Sequence, residues 1–471
     1  MTSSVGRRVV SNAAVQVAGK GAVLVIAAAS IAVLTRYLGP DDYGRFTLAL
    51  MYMQLFGVLA DVGLFTTVVR DISKWPERTE ELVGNALTLR LALSFAVIVL
   101  AGAISLLLPY DHDVRVAILL AGGPLVLGLL NTSLVAVFQA RLRMARAVVS
   151  ETVGRAVAFG LTVAVAVLDL GFYAVMGAAA GGALVTLVVT YLLSRDLVRV
   201  RFLTDGRVWR RLLATSLPLG LALAINALYF RADTLIISLY RPYDDVGLYT
   251  LAYRMLEFTI PLGTVFLTSV FPVISRQVAE GEGRVTDTIQ VSWNLFVVLG
   301  APLVAGGAIL APQIIDLAGG AEFDGSVTPL QVLLVAGALS WVNGVFGYAL
   351  IAKERQASAL WLNAAGLAFN VGLNLALVPA YGIVAAAIVT AASEVLILLG
   401  SYLLMRRNFD FFPRPGTLPA AVAAAATMAG ILWLVRDGPL AVLLPLGVGL
   451  YVGLLYAISP ESRAALGRLR R

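Results

Sequence analysis

Cysteine is absent from this 471-residue chain, and histidine occurs only once, at His112. Without thiols the chain can form neither disulfides nor thiolate metal sites. The lone histidine lies between Asp111 and Asp113, in what the hydropathy pattern marks as a short external loop. Such a side chain is more simply explained as solvated than as a metal ligand, and we therefore expect no metal site.

Charged residues are also scarce. They make up 13% of the chain against 59% hydrophobic residues, and the mean hydropathy is +0.89. A soluble protein carries about a quarter of its residues as Asp, Glu, Lys or Arg. Apolar runs of about 20 residues, long enough to cross the ~30 Å hydrocarbon core as a helix, recur from one end to the other. The composition predicts an all-α polytopic membrane protein.

Hydrophobic stretches and the polar, glycine or proline breaks between them predict fourteen spans. They lie near residues 9–34, 43–68, 83–108, 115–139, 148–168, 172–194, 213–239, 246–271, 288–311, 328–350, 358–378, 382–404, 417–435 and 439–458. Twelve spans is the competing count, if the last two segments lie elsewhere. Pro124, Pro218, Pro261 and Pro302 interrupt spans, as hinges or as ordinary kinks.

Most of the 35 Lys and Arg residues fall on one side of the predicted topology, in loops that include Arg70 to Arg78, Arg141 to Arg146 and Arg195 to Arg211. The opposite side holds only Arg36, Arg45, Arg115, Arg241 and Arg436. Lys and Arg accumulate in cytoplasmic loops, so we expect both termini in the cytoplasm and the chain in the cell (inner or plasma) membrane. Topology thus explains the net charge of +7, and no nucleic-acid partner is expected.

The sequence repeats itself at a spacing of 203 residues. Residues 37–49 read YLGPDDYGRFTLA and residues 240–252 read YRPYDDVGLYTLA, with seven of the thirteen positions identical. A second echo pairs residues 140–143 with residues 352–355. Spans one to six therefore correspond to seven to twelve, in the same orientation because six is even.

This duplication predicts a MATE-like architecture: two six-helix lobes related by a pseudo-two-fold axis along the membrane normal, plus two extra C-terminal helices. The predicted domains are residues 1–194 with helices 1–6, a cytoplasmic inter-lobe linker at 195–212, residues 213–405 with helices 7–12, and residues 406–471 with helices 13–14 and a basic tail. Two facing bundles favour transport by alternating access over channel conduction or membrane enzymology.

Ionisable residues inside spans are costly and normally face a cavity or a partner. The embedded basic residues are Lys20, Arg90, Arg155, Arg231 and Arg254, and the embedded acids are Asp61, Asp233, Glu257 and Glu394. We interpret the basic set as the substrate-binding surface of a central cavity for an anionic phosphate or pyrophosphate, because guanidinium gives paired hydrogen bonds to such groups. Asp61 or Glu394 is the candidate for ion coupling.

Each embedded charge also has a structural explanation. Arg254 and Glu257 can neutralise each other at i,i+3, and Arg90 and Arg155 can snorkel to the interface. Asn370 and Asn374 share one face of span eleven, where hydrogen bonding between helices is favoured over sugar contact.

Motifs for nucleotide or metal chemistry are missing. The sequence has no Gly-rich phosphate loop and no HExxH-type signature, and it offers no soluble segment large enough for an ATPase. We therefore expect a transporter rather than an enzyme, without cofactors, driven by a proton or sodium gradient, the membrane potential or the substrate gradient.

Several segments resemble one family. Residues 35–44 (TRYLGPDDYG), followed by Ala60-Asp61-Val62-Gly63-Leu64 and Arg70, are similar to the start of Wzx-type polysaccharide flippases. So is the run from residues 352–355 through Asn370 and Asn374 to Pro379-Ala380-Tyr381-Gly382. These flippases form the polysaccharide transport branch of the superfamily (MOP) that also contains MATE drug exporters and lipid II flippases.

The resemblance implies a flippase that moves undecaprenyl-pyrophosphate-linked oligosaccharide repeat units from the cytoplasmic to the outer leaflet, for cell-surface polysaccharide biosynthesis. It also implies a membrane lipid-linked oligosaccharide as substrate, with a polysaccharide polymerase and glycosyltransferases as partners. Two alternatives of the same class stay open: a MATE-type multidrug or cation exporter, and a lipid II flippase. A membrane-embedded glycosyltransferase or polymerase is disfavoured because the longest external loop, around 312–327, is too short to form a domain.

Overall fold

A computed structural model of the chain describes residues 2–281 and 284–458. It is 89% helical, and the described residues contain no strand. The helices are α1 (Thr2–Asp61), α2 (Leu64–Lys74), α3 (Thr79–Leu107), α4 (His112–Ala140), α5 (Met144–Val167), α6 (Phe172–Ser194), α7 (Gly206–Tyr240), α8 (Tyr243–Glu257), α9 (Ile260–Glu280), α10 (Val285–Gly319), α11 (Val327–Ala352), α12 (Gln356–Phe409), α13 (Leu418–Leu434) and α14 (Leu440–Ile458). The predicted all-α fold is confirmed.

The predicted spans correspond to these helices. By length and composition, ten helical segments among the described residues can cross a membrane. Two of them, Gly19–Lys74 and Gln356–Phe409, contain 56 and 54 residues, enough for two crossings each. In both, the backbone leaves helical geometry at a glycine with positive φ, at Gly39 and Gly382, between spans one and two and between spans eleven and twelve. Helix α7 and the shorter α13 match the remaining two of the fourteen spans.

Large apolar side chains cover much of the outside of these helices. Phe95 is 71% exposed, Leu107 is 85% exposed and Leu403 is 62% exposed. Exposed large apolar side chains in this number are typical of a surface that faces lipid. Together with the helix lengths, it identifies a multi-pass membrane protein.

The chain divides into two compact units, residues up to Gly247 and residues from Leu248. The core of the first unit joins Val68 of α2, Val83 of α3, Val137 of α4 and Leu212 of α7, all at most 1% exposed. Helix α7 therefore packs with the first six spans. The lobes predicted from the repeat, with a boundary at 195–212, stay a prediction, since these units are defined by packing and not by the repeat.

The second unit contains two apolar clusters. Ile289 of α10, Phe346 of α11 and Met405 of α12 are buried in the first. In the second, Leu310 of α10 packs with residues of α13 and α14 that include Met428 and Tyr451. The two C-terminal helices are thus attached to the unit through α10, which supports fourteen helices over twelve.

The segment before α7 is attached to the N-terminal part of α3. The Leu203 N–H donates to the carbonyl oxygen of Gly84 at 3.3 Å, and the Asp205 N–H donates to Oδ1 of the buried Asn85 at 2.8 Å. Asp205 also caps α7, because its side chain accepts from the Arg207 N–H at 2.8 Å. Residues 203–205 of the predicted linker are therefore docked on α3, and residues 206–212 already belong to α7.

Three of the four prolines that interrupt predicted spans do not break their helices. Pro124, Pro218 and Pro302 lie inside the continuous helices α4, α7 and α10. Only Pro261 coincides with a boundary, in the first turn of α9, where a missing N–H costs nothing. Span two also breaks, between α1 and α2, without a proline.

Candidate functional site

The two embedded charges Asp61 and Arg90 lie together in the first unit. The Arg90 side chain is 0% exposed and donates to the Asp61 carboxylate, to Ser133 Oγ at 2.7 Å and to the Leu129 carbonyl oxygen at 3.2 Å. The Asp61 side chain retains 25% exposure. A candidate substrate ligand and a candidate coupling carboxylate are thus bonded to each other in this structure, and Arg90 does not snorkel.

A break in the helix places Asp61. Helix α1 ends at Asp61, Val62 and Gly63 adopt positive φ angles of 45° and 73°, and α2 begins at Leu64. The backbone of Val62 lies against Gly220 of α7, where a Cβ atom would come within 2.6 Å of the Val62 carbonyl carbon. Gly220 leaves room for the broken backbone, so the break is fixed by packing as well as by the freedom of Gly63.

Lys20 and Arg155 lie on neighbouring helices of the same unit. Gly19 of α1 faces Val148 and Thr152 of α5, so α1 carries Lys20 to the part of α5 that bears Arg155. Lys20 is exposed, and the Arg155 side chain, 52% exposed, pairs with Glu151 at 3.5 Å. An ion pair this open to its surroundings contributes little to stability, so Arg155 can exchange Glu151 for another anion at small cost.

Arg231 lies half-buried on α7, and Asp233 near it is only 3% exposed. The Asp233 carboxylate accepts from the Thr234 N–H at 2.7 Å. Both residues also take part in interactions with other groups. Their depth agrees with the expectation that embedded charges in α7 are satisfied by the protein.

Arg254 lies in the second unit. Its guanidinium pairs with Glu257 at 2.7 Å on one face of α8, with the two side chains 34% and 24% exposed. This is the i,i+3 pair that the sequence offers as the structural explanation. Arg254 also precedes Phe258 by four residues, and Phe258 lines an apolar cavity of this unit.

That cavity has a volume of about 950 Å³ and apolar walls. Its lining comes from the end of α8, from α10 and α11, and from the C-terminal helices α13 and α14; it includes Met255, Leu299, Pro302, Met428, Gly447 and Val452. The few polar groups in the wall are those of Thr259, Asn294, Thr417 and two tyrosines, of which Tyr451 donates to the Val298 carbonyl oxygen at 2.7 Å. The cavity fits a long apolar ligand better than a charged one.

Glu394 is the second candidate for ion coupling. It is 7% exposed, and Asn343 of α11 donates to its Oε2 at 2.7 Å and to its backbone carbonyl oxygen at 3.0 Å. Glu394 has further interactions as well. The side-chain amide of Asn343 therefore links α11 to α12 by donating to both the side chain and the backbone of Glu394.

The asparagines of span eleven bond to their neighbours. Asn374 donates to Asn370 Oδ1 at 3.0 Å, and Asn370 donates to Ser393 Oγ at 3.3 Å, across the break at Gly382. All three side chains are at most 3% exposed. The prediction of hydrogen bonding between the helices of spans eleven and twelve is confirmed.

The structure thus pairs Arg90 with Asp61, and Arg254 with Glu257, and carries Lys20 towards Arg155. The assignment of these residues to substrate binding or ion coupling stays a prediction. Among the described residues no group of His, Asp or Glu side chains could hold a metal ion. Sequence reasoning missed the apolar cavity, although Gly306 and Gly307 in span nine and Gly447 in span fourteen are small residues that leave space along its walls.

The family model described as "Polysaccharide biosynthesis protein" matches residues 7–278, more than half of the chain. Two curated relatives carry transport names. The probable low-salt glycan biosynthesis flippase Agl15 of Haloferax volcanii is 26% identical over 168 residues, 35% of this chain and 35% of the relative. The succinoglycan biosynthesis transport protein ExoT of Rhizobium meliloti is 26% identical over 304 residues, 62% of this chain and 58% of the relative. The matches thus span less than two thirds of these relatives.

Solved structures show the fold. Lipid II flippase MurJ, in an inward closed conformation, superposes with a TM-score of 0.76 at 11% identity, covering 94% of this chain and 98% of that one. A multidrug resistance MATE family transporter of the MOP superfamily, in an inward-facing conformation, gives 0.62 at 16% identity, with 81% and 93% covered. The chain therefore has the fold of these transporters, and it belongs to the polysaccharide biosynthesis protein family.

Proposed function

We propose that the chain is a flippase that moves undecaprenyl-pyrophosphate-linked oligosaccharide repeat units from the cytoplasmic to the outer leaflet, for cell-surface polysaccharide biosynthesis. Family membership and the flippase and transport names of its relatives support a lipid-linked glycan as the substrate class. The observation that carries the proposal is the apolar cavity of the second unit.

The cavity is suited to the polyprenyl chain. Its volume of about 950 Å³ lies at the upper end of the range for small-molecule sites, and its walls offer a long isoprenoid continuous apolar contact. Helices α13 and α14 supply one wall, and they lie outside the six-helix duplication. Two helices added to a duplicated transporter and lining an apolar cavity are explained by a substrate with a long lipid part.

The pyrophosphate and sugar require polar partners. Arg254 lies four residues before the cavity-lining Phe258, and its partly exposed side chain is able to bind an anion in place of Glu257. In the first unit, Lys20 and Arg155 are exposed basic groups on adjacent helices. Arg90 is fully buried and bonded to Asp61, so we assign it to positioning in this state, with substrate contact only after the pair separates.

Translocation in this proposal follows alternating access, in which the two repeats rock so that the bound headgroup faces first the cytoplasm and then the outside. Protonation or sodium binding at Asp61 or Glu394 would couple the motion to a gradient. In this proposal the chain lies in the inner or plasma membrane, and both termini are on the cytoplasmic side, as the distribution of Lys and Arg indicates. Glycosyltransferases would supply the substrate and a polysaccharide polymerase would consume it.

The test is translocation of a fluorescent undecaprenyl-pyrophosphate oligosaccharide in proteoliposomes, with two matched tryptophan variants. Val452 and Val442 both lie on α14 and are 47% and 56% exposed, but only Val452 lines the cavity. Val452→Trp fills space that the isoprenoid needs, so we expect it to slow translocation at least tenfold, whereas Val442→Trp stays within twofold of the unsubstituted chain.

Lys20→Ala and Arg231→Ala test the headgroup, and we expect both to slow translocation while the protein stays folded. Equal translocation rates for Val452→Trp and Val442→Trp would show that the cavity does not bind the isoprenoid chain. Absence of flipping for several polyprenyl-pyrophosphate glycans, together with ion-driven uptake of small cations, would favour a drug exporter. Efficient flipping of lipid II alone would favour the lipid II alternative.

A further inference from the structure

A glutamine in the second predicted span has no hydrogen-bonding partner. Gln54 lies near the middle of that span, in the second half of α1, and its side chain is exposed. In the part of the chain that the structure describes, its amide makes no hydrogen bond. Polar side chains inside spans normally bond to a neighbouring helix or face a cavity. Gln54 belongs to the second group, because a cavity adjoins it.

This cavity is small and lies in the first unit, between α1 and α4. It has a volume of about 230 Å³. Helix α1 contributes Leu50, Met53 and Gln54 to its walls, and α4 contributes Ala121, Pro124, Leu125, Gly128 and Leu129. Among these described lining residues, Gln54 has the only polar side chain. The cavity thus combines apolar walls with one free amide.

A missing side chain and a proline keep the cavity open. Nothing lies within 4 Å of the position that a Cβ atom on Gly128 would take. One turn earlier, Pro124 lacks an N–H, so the carbonyl oxygen of Leu120 has no donor within the helix. At Gly57, by contrast, a Cβ atom would lie 2.4 Å from Leu125 Cδ1, so α1 and α4 are in close contact there. The cavity is therefore a local gap between two helices that otherwise pack tightly.

The size and charge of the cavity limit what it can bind. An apolar cavity of about 150 Å³ holds a benzene molecule, so a volume of about 230 Å³ accommodates one six-membered ring with a substituent. None of the described lining residues carries a charge, so the cavity offers no counter-ion to a phosphate or a carboxylate. A single neutral sugar is the part of a lipid-linked glycan that fits.

The buried ion pair of this unit lies next to the cavity. Arg90 donates to the carbonyl oxygen of Leu129, which lines the cavity, and to Ser133 Oγ one turn further along α4. Its partner Asp61 follows Gln54 by seven residues, which places both on one face of α1. Five residues of helix span about 8 Å, comparable with the reach from a sugar ring to the pyrophosphate bonded to it. A sugar in the cavity therefore places its pyrophosphate near Arg90.

We propose that this cavity binds the first sugar of the substrate, the one bonded to the pyrophosphate, and that Gln54 selects a sugar with an acetamido group; this rests on the proposed function, since the sugar is part of the same substrate. A side-chain amide and an acetamido group each have a donor and an acceptor, so they form a pair of hydrogen bonds. The acetamido methyl group then packs against the apolar walls at Met53 and Leu125. A sugar hydroxyl presents a single atom there and leaves one end of the Gln54 amide unpaired.

Competition between two matched lipids tests this selection. Undecaprenyl-pyrophosphate-N-acetylglucosamine and undecaprenyl-pyrophosphate-glucose share the isoprenoid and the pyrophosphate and differ only in the acetamido group. Native mass spectrometry of the full chain in detergent, with an equimolar mixture of the two, measures the ratio of the complexes. The acetamido lipid is expected in about tenfold excess or more, and Gln54→Leu should bring the ratio to about one, because the two hydrogen bonds to the acetamido group are lost.

Three further variants separate the amide and the cavity from general effects. Gln139→Leu makes the same substitution at an exposed glutamine at the end of α4, outside the cavity, and should keep the excess. Gly128→Leu fills the cavity and should abolish the excess as Gln54→Leu does. Gly160→Leu adds the same side chain at a glycine of α5 with nothing within 4 Å of its Cβ position, and should keep it.

The outcomes distinguish this selection from the proposed function. Equal binding of the two lipids by the unsubstituted chain, or an excess that persists in Gln54→Leu, would overturn the assignment of Gln54 and leave the flippase proposal intact. Binding of neither lipid would contradict the proposed function, and the selection would fall with it. In proteoliposomes the unsubstituted chain should also flip the acetamido lipid about tenfold faster than the glucose lipid at limiting concentration, and Gln54→Leu should flip both at similar rates.

Discussion

Replacing Asp61 with asparagine removes the charge that Arg90 needs. The Arg90 side chain is completely buried, and its other two partners, Ser133 Oγ and the Leu129 carbonyl oxygen, are neutral. Removing one partner of a buried ion pair costs about 3–5 kcal/mol, because the remaining charge stays in a medium of low dielectric constant. Asp61 is 25% exposed, and this access to polar surroundings places the expected cost at the lower end, about 3 kcal/mol.

Thermal unfolding in detergent, followed by tryptophan fluorescence, measures this cost. A loss of 1 kcal/mol lowers the Tm of a unit of 150–250 residues by about 2–4 °C, so Asp61→Asn is expected to lower it by roughly 6–12 °C. In Asp61→Asn/Arg90→Met no unpaired charge is left, and we expect most of the loss to be recovered. The matched control is Glu151→Gln, which breaks the open pair with Arg155 and should cost less than about 1 kcal/mol.

The stabilities of the single and double variants show whether the Asp61–Arg90 pair acts through its charges. A Tm of Asp61→Asn within about 3 °C of the unsubstituted protein would refute the reasoning, since it would show that Arg90 does not depend on the carboxylate. If the double variant is as unstable as the single one, the loss comes from the shape of the site and not from charge. Translocation by the recovered double variant then shows whether Asp61 couples an ion or only holds Arg90 in place.

Two further changes test other contacts. Gly84→Ala places a methyl group 2.5 Å from the Arg201 carbonyl oxygen and should release the docked segment before α7. Trypsin is therefore expected to cleave after Arg201 several times faster. The control is Gly177→Ala, whose added methyl group has nothing within 4 Å and should leave the cleavage rate unchanged. Asn343→Leu removes the amide that donates to Glu394 and should cost about 1–3 kcal/mol by the same unfolding assay, with unchanged stability contradicting the arrangement.

Hydropathy and charge patterning were sufficient for the fold because bilayer thickness sets the length of each helix and Lys and Arg mark the loops. They were not sufficient for the breaks within spans. Span two breaks at Val62 and Gly63 because Gly220 of a distant helix makes room for it. Pro218 and Pro302, the local signals for a break, lie in continuous helices whose neighbours hold them. Whether a helix breaks at such a position depends on packing against other helices, which cannot be read from a single sequence.

The candidate site was predictable only where partners are close in the chain. The Arg254–Glu257 pair follows from spacing on one helix, and it is seen. Arg90 and Asp61 lie on different helices and are 29 residues apart along the chain, so each had to be considered alone. The apolar cavity left no motif, since the residues that line it have the composition of any span. The duplicated motif was visible as sequence, but the meeting of its two copies through Gly44 and Gly247 required coordinates.

The most direct test of the central claim is the rate at which the purified, unsubstituted chain moves a fluorescent undecaprenyl-pyrophosphate oligosaccharide between leaflets of sealed proteoliposomes. The account predicts protein-dependent loss of leaflet asymmetry that exceeds the rate in protein-free liposomes at least tenfold and that excess unlabelled substrate suppresses. A rate equal to that of protein-free liposomes, from protein shown to be folded by its unfolding transition, would contradict it.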